Sequence, residues 1–185
     1  IYQRGFTVDT DALDAVRVQF EQEKQDIEKR LNKQVKELMG DTPINLNSPE
    51  QMSWVIYSRK PLEKALWANS FTPYMDNTDY KQTVATKSSI VYKTNAEQCN
   101  TCIGTGFIRK VRKDGTPFAR PTKCDVCDSV GYLFIPDKMV IGGLKFNAPN
   151  AKWVSANGFS VNKNNLGTLY TMAKHKKMTS AMNFL

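Results

Sequence analysis

The only four cysteines of this 185-residue chain form two matched pairs, Cys99-Asn100-Thr101-Cys102 and Cys124-Asp125-Val126-Cys127, with 21 residues between them. Each C-x2-C makes a tight knuckle that delivers two thiolates to one point. Two knuckles joined by a β-hairpin supply four sulfurs at the corners of a tetrahedron, which suits Zn2+. Gly104 and Gly106 follow the first pair and Gly131 the second. Without a Cβ at these positions, backbone amides can turn toward the sulfurs. Two disulfides are the main alternative, but no secretory pattern accompanies the cysteines and two-residue spacing favours metal. Iron is a further alternative, although the spacing of the second pair matches no common iron–sulfur run. Four protein donors fill a zinc coordination shell, so the expected ion is structural and not catalytic.

The segment between the pairs predicts a two-armed hairpin over 99–135. Its arms are Phe107–Arg112 and Tyr132–Ile135, and Asp114-Gly115 supplies the bend. Large apolar residues are few here, so metal binding and folding of the hairpin should be one event. Arg109, Lys110, Arg112, Lys113, Arg120 and Lys123 face Asp114 as the one acid between the knuckles. Zn2+ on four thiolates lowers the formal charge of the chain from +8 to about +6 and leaves the tip positive. Phosphate contact is the functional reading of these six residues. A solvated tip and a surface for a protein partner stand beside it.

Charge is divided along the chain. Residues 1–60 hold nine basic and ten acidic side chains, and residues 61–185 hold seventeen and eight. A one-sided excess favours an acidic partner, most often nucleic acid. No apolar run reaches the length needed to span a bilayer, and no basic amphipathic helix with an aromatic face stands out, so no membrane partner is expected. The chain starts at Ile1 with no signal-peptide pattern after it, and it reads as a piece of a longer protein.

Outside the cysteines the pattern is helical. Leu13, Val16, Phe20, Ile27, Leu31, Val35 and Leu38 recur at helical spacing and predict one helix over 9–39, roughly 45 Å long. Asp9 is its expected N-cap and Gly40 its stop. Glu23 and Lys24 interrupt the stripe, which argues against a self-sufficient coiled coil and for a solvated face or half of a helical hairpin. Ser48-Pro49-Glu50-Gln51 combines an N-cap serine, a proline at the first helical position and a capping-box glutamine. The helix it opens should turn Met52, Val55 and Ile56 inward and close near Lys60, ahead of Pro61. A short helix over 62–67 and a strand over 88–93 are expected, with a polar, turn-rich stretch between. Residues 144–159 read as irregular, anchored by Trp153 and Phe159. A helix over Val161–Lys174 and another from near Met178 complete the chain. Trp54, Trp67 and Trp153 are expected core anchors, and His175 a solvated residue between helices. No internal repeat stands out beyond the cysteine pairs.

Two resemblances follow from these residues. Residues 99–106, C-x2-C-x-G-x-G, resemble half of the zinc module of DnaJ-type chaperones. That module uses four pairs, and the second pair here departs from it at Ser129. A longer resemblance lies outside the cysteines. Arg4-Gly5-Phe6-Thr7-Val8-Asp9-Thr10 before a long amphipathic helix is similar to the start of the thumb subdomain in family A DNA polymerases, closest to the T7-like phage branch. Asn45-Leu46-Asn47-Ser48-Pro49-Glu50-Gln51 resembles the N-x-S-P-x-Q segment that opens the next thumb helix. Trp153 to Leu169, with Asn157-Gly158, resembles the stretch leading toward the palm.

The resemblance implies an α+β fold: a helical thumb hairpin of long antiparallel helices from 1–60 and 151–185, with a four-cysteine zinc ribbon (99–135) inside an insertion at 61–150. It implies a thumb that grips primer–template DNA, as duplex or single strand, and a DNA-directed DNA polymerase as the parent enzyme. Mg2+ and the catalytic residues would lie outside this chain, so the fragment alone should be inactive and catalytic residues are expected at none of its positions. The setting would be the cytoplasm of an infected bacterial host. The insertion follows the N-x-S-P segment, whereas the T7-like thumb insertion, which binds a processivity partner, precedes it. Recruitment of a replisome or processivity protein is therefore an analogy of role. A zinc-dependent protein-interaction or chaperone-like module without a DNA role is the rival reading.

Overall fold

The computed structural model describes residues 9–70, 77–147, 151–155 and 158–185. Arg4 to Val8 and Asn157, which carry part of the thumb resemblance, lie outside the described residues. The fold is mixed α+β, with one long helix and small antiparallel sheets. The chain divides into two units, residues 1–34 and residues 35–185.

The first unit holds most of α1 (Thr10–Met39). Asp9 caps it as expected: its Oδ1 accepts from the backbone N–H groups of Asp11 and Ala12 at 3.1 and 3.0 Å. Arg17–Glu21 and Lys24–Glu28 pair one turn apart, and Asp26 pairs with Lys29. These pairs are exposed and contribute a few tenths of a kcal/mol each, about 0.3–0.5. The apolar stripe here is solvent-facing, with Leu13 60% and Phe20 65% exposed.

In the second unit the same stripe is covered. Val35 and Met39 are buried with Val55, and Leu38, Ile44, Leu46 and Val91 pack around them. Gly40 ends α1 with a φ of +79°, and its N–H donates to Lys36 O. A side chain there would place its Cβ 2.1 Å from Thr94 O, so only glycine admits this crossing. Helix α2 (Pro49–Tyr57) starts as its sequence predicts, with Ser48 Oγ accepting from the Gln51 N–H. The second half of the capping box differs. The Ser48 N–H donates to Asn45 O, so Gln51 Oε1 instead accepts from the Asn45 N–H at 2.7 Å.

Helix α2 also stops earlier than expected, at Tyr57. Ser58 takes a left-handed φ of 54° and donates its N–H to Trp54 O. This frees β1 (Arg59–Pro61) to pair antiparallel with β2 (Ser88–Ile90). Between them lie α3 (Lys64–Ser70) and α4 (Asn77–Lys87). Helix α4 replaces the turn-rich stretch read from sequence; its residues carry no apolar stripe, and Val84 is its buried contact with the core.

The main core joins Ile56, Tyr57, Trp67, Val84, Leu144, Phe146, Phe159, Leu169, Ala173 and Ala181. Trp67 is fully buried and its Nε1–H donates to Ser155 O at 2.8 Å. Its ring meets Phe159 edge-on at 5.4 Å, and Tyr57 stacks obliquely on the same phenylalanine at 4.7 Å. Trp153 is partly buried against this core, as expected. Residues 144–159 are less irregular than their sequence suggests: a single 3-10 turn (Ala151–Trp153) precedes β7 (Val154–Ser155), which pairs with β8 (Gly158–Phe159). Helix α5 (Lys163–His175) is capped by Asn162, whose side chain accepts from the Asn165 N–H, and α6 (Thr179–Phe184) follows. His175 is exposed. Among the described residues the next longest helix after α1 is α5, with 13 residues.

Candidate metal centre

The strand pairing around the cysteines differs from the sequence reading. Strand β3 (Tyr92–Gln98) enters the first knuckle, and β6 (Tyr132–Ile141) leaves the second. These two pair with each other, from Lys93↔Asp137 to Gln98↔Tyr132. The expected partner of the Tyr132–Ile135 run, Phe107–Arg112, instead folds back on the other side of the knuckles. There β4 (Phe107–Ile108) pairs with β5 (Thr122–Lys123). The bend is where the sequence places it: the Gly115 N–H donates to Arg112 O and the Arg112 N–H to Thr116 O. The physical reason is the single bend at Gly115. Gln98↔Tyr132 and Phe107↔Lys123 lie in one antiparallel register centred on that bend, so β3 with β4 forms one arm and β5 with β6 the other, and each arm is interrupted by a knuckle.

The base of this assembly is tied to the helical core. The Asp41 N–H donates to Thr94 O at 2.9 Å, and Asp41 Oδ2 accepts from the Ala96 N–H at 3.0 Å. Lys93 Nζ donates to Glu37 O and the Gly143 N–H to Leu38 O, so the end of α1 finds partners for two carbonyls that a helix leaves open. The Leu144 and Phe146 N–H groups donate likewise to Val55 O and Ile56 O in the last turn of α2.

The two knuckles have the same backbone. Ile103 and Gly104 have φ of 53° and 78°; Asp128 and Ser129, their equivalents, have 48° and 67°. Ser129 thus occupies a left-handed position that holds glycine in the first knuckle, a conformation that a serine takes at a steric cost. The Gly106 N–H donates to Cys102 Sγ at 3.3 Å and the Gly131 N–H to Cys127 Sγ at 3.2 Å. Across the pair, the Cys99 N–H donates to Gly131 O and the Cys124 N–H to Gly106 O, both at 2.9 Å. A Cβ on Gly106 would sit 2.2 Å from Ser129 O, and one on Gly131 would sit 2.3 Å from Gly104 O. The glycines are required because each knuckle packs its backbone on the other.

All four sulfurs lie within 4.8 Å of one another, and all four residues are buried. Cys99 Sγ is 3.9 Å from Cys124 Sγ, and Cys102 Sγ is 3.6 Å from Cys127 Sγ. A metal with bonds of about 2.3 Å to four sulfurs in a tetrahedron needs edges of roughly 3.8 Å. A disulfide needs sulfurs about 2 Å apart, so the thiols are free. The donor set and its spacing are compatible with a metal site. Ile108 and Leu133 close its apolar flank. The Cys102 backbone N–H, directed at the Cys99 sulfur, holds that thiol down to about 6 against desolvation. Burial pushes the Cys127 thiol up to about 11, opposed in part by the Gly131 N–H.

Ile108 and Leu133 were not singled out in sequence, yet a signal exists. Both halves read C-x2-C-x3-G-[FY]-[IL], through Gly106-Phe107-Ile108 and Gly131-Tyr132-Leu133. The repeat extends past the cysteines to the residues that cover them.

The six basic candidates, Arg109, Lys110, Arg112, Lys113, Arg120 and Lys123, are all exposed. Lys123 lies opposite Phe107 in the β4–β5 pair. The Arg112 guanidinium lies over the Phe118 ring, 5.2 Å from its centroid. None of the six forms an ion pair among the described residues. Asp114 is committed to its own turn: its Oδ1 accepts from Thr116 Oγ1 at 2.6 Å and from the Thr116 N–H at 3.0 Å. These bonds, the hydroxyl first, hold its carboxyl below the usual range. No helix among the described residues is long and apolar enough to cross a membrane. No family model, curated protein or solved structure matches the chain.

Proposed function

We propose that Cys99, Cys102, Cys124 and Cys127 hold one structural Zn2+, and that the hairpin it braces presents cations to the phosphates of DNA. The observation that carries this reading is the tip itself. Six exposed basic side chains lack an acidic partner among the described residues, on a hairpin whose foot is a buried four-thiol cluster. Phosphate contacts are independent of base sequence and suit a protein that must grip any template. The order of the Asp9, N-x-S-P-x-Q and Trp153–Leu169 segments supports a thumb region of a family A polymerase as the setting. The parent enzyme would polymerise DNA with Mg2+ at residues outside this chain.

The test is binding of a labelled primer–template duplex across a salt series, with wild type beside Arg109, Lys110, Arg112 and Lys113 changed together to alanine. Each phosphate contact contributes a slope of about 0.9 in log affinity against log salt. Loss of roughly two to four units of slope in the variant is the expected result. An unchanged slope would remove the hairpin from the DNA contact. Zinc at one per chain by elemental analysis is the companion expectation.

A second reading, a zinc-dependent protein-interaction module, is favoured by one observation. Val126, Val130, Ile135 and Met139 are exposed on the metal-bearing segment, Met139 at 91%. Met139 stands out because the β3–β6 register shifts between Tyr92 and Lys93, and Lys138 to Val140 loop away from the partner strand. Absence of salt-sensitive DNA binding by the wild type would favour this reading.

A further inference from the structure

We propose that the hairpin takes a single strand of nucleic acid, with unpaired bases stacked on Phe107 and Phe118 and phosphates held by the cations beside them. This rests on the reading of the tip as a phosphate-binding element and adds which form of nucleic acid it takes.

Two aromatic residues lie between the knuckles, Phe107 and Phe118, and both are about half exposed, at 47% and 45%. The apolar cover of the metal cluster comes from Ile108 and Leu133, so neither ring is needed there. Each ring has a cation at its side. Phe107 faces Lys123 across the β4–β5 pair. The Phe118 N–H donates to Lys110 O at 2.9 Å, which places Phe118 beside Lys110, while Arg112 covers part of its ring. The rungs at Phe107 and at Lys110–Phe118 are separated by about 10 Å of extended chain. The rings thus come one from each arm of the hairpin, Phe107 before the bend and Phe118 after it, each with a cation beside it.

Duplex DNA offers such a surface its phosphates but not its base faces, which are stacked on one another. A single strand offers both. Stacking on an exposed ring is tolerant of sequence, and a guanidinium beside the ring can contact the base face and the phosphate. Cations alone would not favour the single strand, whose charge density is lower than that of a duplex. Two half-exposed rings among them supply a term that only unpaired bases can use.

The experiment compares the metal-loaded chain with Phe118→Ala and Phe118→Trp, using fluorescein-labelled oligo-dT and a blunt duplex of matched length. Phe118→Ala is expected to weaken oligo-dT binding roughly 5- to 150-fold and to leave duplex affinity and the salt slopes unchanged. Phe118→Trp should keep the affinity, and its emission should be quenched by unlabelled oligo-dT but not by duplex. Equal loss for both ligands, or no loss for oligo-dT, overturns the single-strand proposal while leaving the phosphate reading in place. Salt-insensitive or absent binding of both ligands by wild type overturns the two together. If Phe118→Ala loses its zinc, the tryptophan signal decides: quenching by duplex and oligo-dT alike overturns the proposal.

Discussion

Gly131 and Gly115 form a matched pair for testing how the metal centre is built. Both have left-handed φ, +86° and +84°. An alanine at either position incurs about 1–2 kcal/mol of backbone strain. Their surroundings differ. A Cβ at Gly115 meets nothing within 4 Å, whereas one at Gly131 lies 2.3 Å from Gly104 O. To reach ordinary contact, the Gly104 carbonyl must retreat by about 1 Å. A thiolate–zinc site tolerates displacements of about 0.2 Å. The Gly131 N–H bond to Cys127 Sγ is lost or bent in the process, and a bond to a charged acceptor contributes about 1.5–3 kcal/mol. Zinc affinity of Gly131→Ala should therefore fall about 10- to 150-fold relative to Gly115→Ala, whose own loss, from backbone strain alone, should be about 5- to 30-fold. Competition against a chromophoric chelator at pH 7.5 reads this directly, with circular dichroism to confirm the fold. Equal affinities for the two variants would refute the account of interlocked knuckles. Gly106→Ala should behave as Gly131→Ala does, because its clash with Ser129 O is the reciprocal one.

Three further outcomes are expected. Cys99→Ser combined with Cys124→Ser should abolish zinc binding and unfold the hairpin while the α1 signal in far-ultraviolet circular dichroism persists; a complete loss of helix would show that the two are not separable. Where folding and loading are one event, the metal-free thiols have their ordinary values, so the slope of log zinc affinity against pH should stay constant from pH 8 to 5; a steepening by about one proton as pH falls through 6, where the folded cradle holds Cys99, would show a cradle formed ahead of the metal. The sign in such a cradle is that of a depressed thiol: stabilisation by the Cys99 thiolate is full above its ordinary value of 9.0 and is lost as pH falls through about 6. Trp67→Ala should destabilise the second unit by about 3–5 kcal/mol in urea unfolding, since it removes a fully buried indole and leaves Ser155 O without its donor; a change under about 1 kcal/mol would take Trp67 out of the core.

Helix α1, the start of α2 and the four-cysteine cluster were legible because each is written locally. A cap residue, a periodic stripe and a C-x2-C spacing act over a few neighbours, and the chain has no cheaper use for them. Helix α4 was not legible, because its polar sequence gains its helical form from the docking of Val84, a contact made at long range. The strand partners in the metal hairpin failed for a related reason. Phe107–Arg112 and Tyr132–Ile135 both read as β-prone, and nothing in either run says which of two strands it will meet. The position of the bend at Gly115 decides that, because both strand pairs keep one register about it. The early stop of α2 turns on Ser58 adopting a left-handed φ, which its residue type does not announce. The six cations are plain in the sequence, but their lack of acidic partners among the described residues required the folded turn at Asp114 to be seen.

The crossed backbone bonds between the knuckles have a bearing on synthesis. The Cys99 N–H needs Gly131 O and the Cys124 N–H needs Gly106 O, so neither half of the cradle is complete until both have left the ribosome. The cysteines that face each other are 25 residues apart in the chain. At about 5–20 residues per second, the first two thiols wait roughly 1–5 s, unburied and without their partners. During that interval they are open to oxidants, and a buried four-thiol cluster exists only once the second pair has emerged.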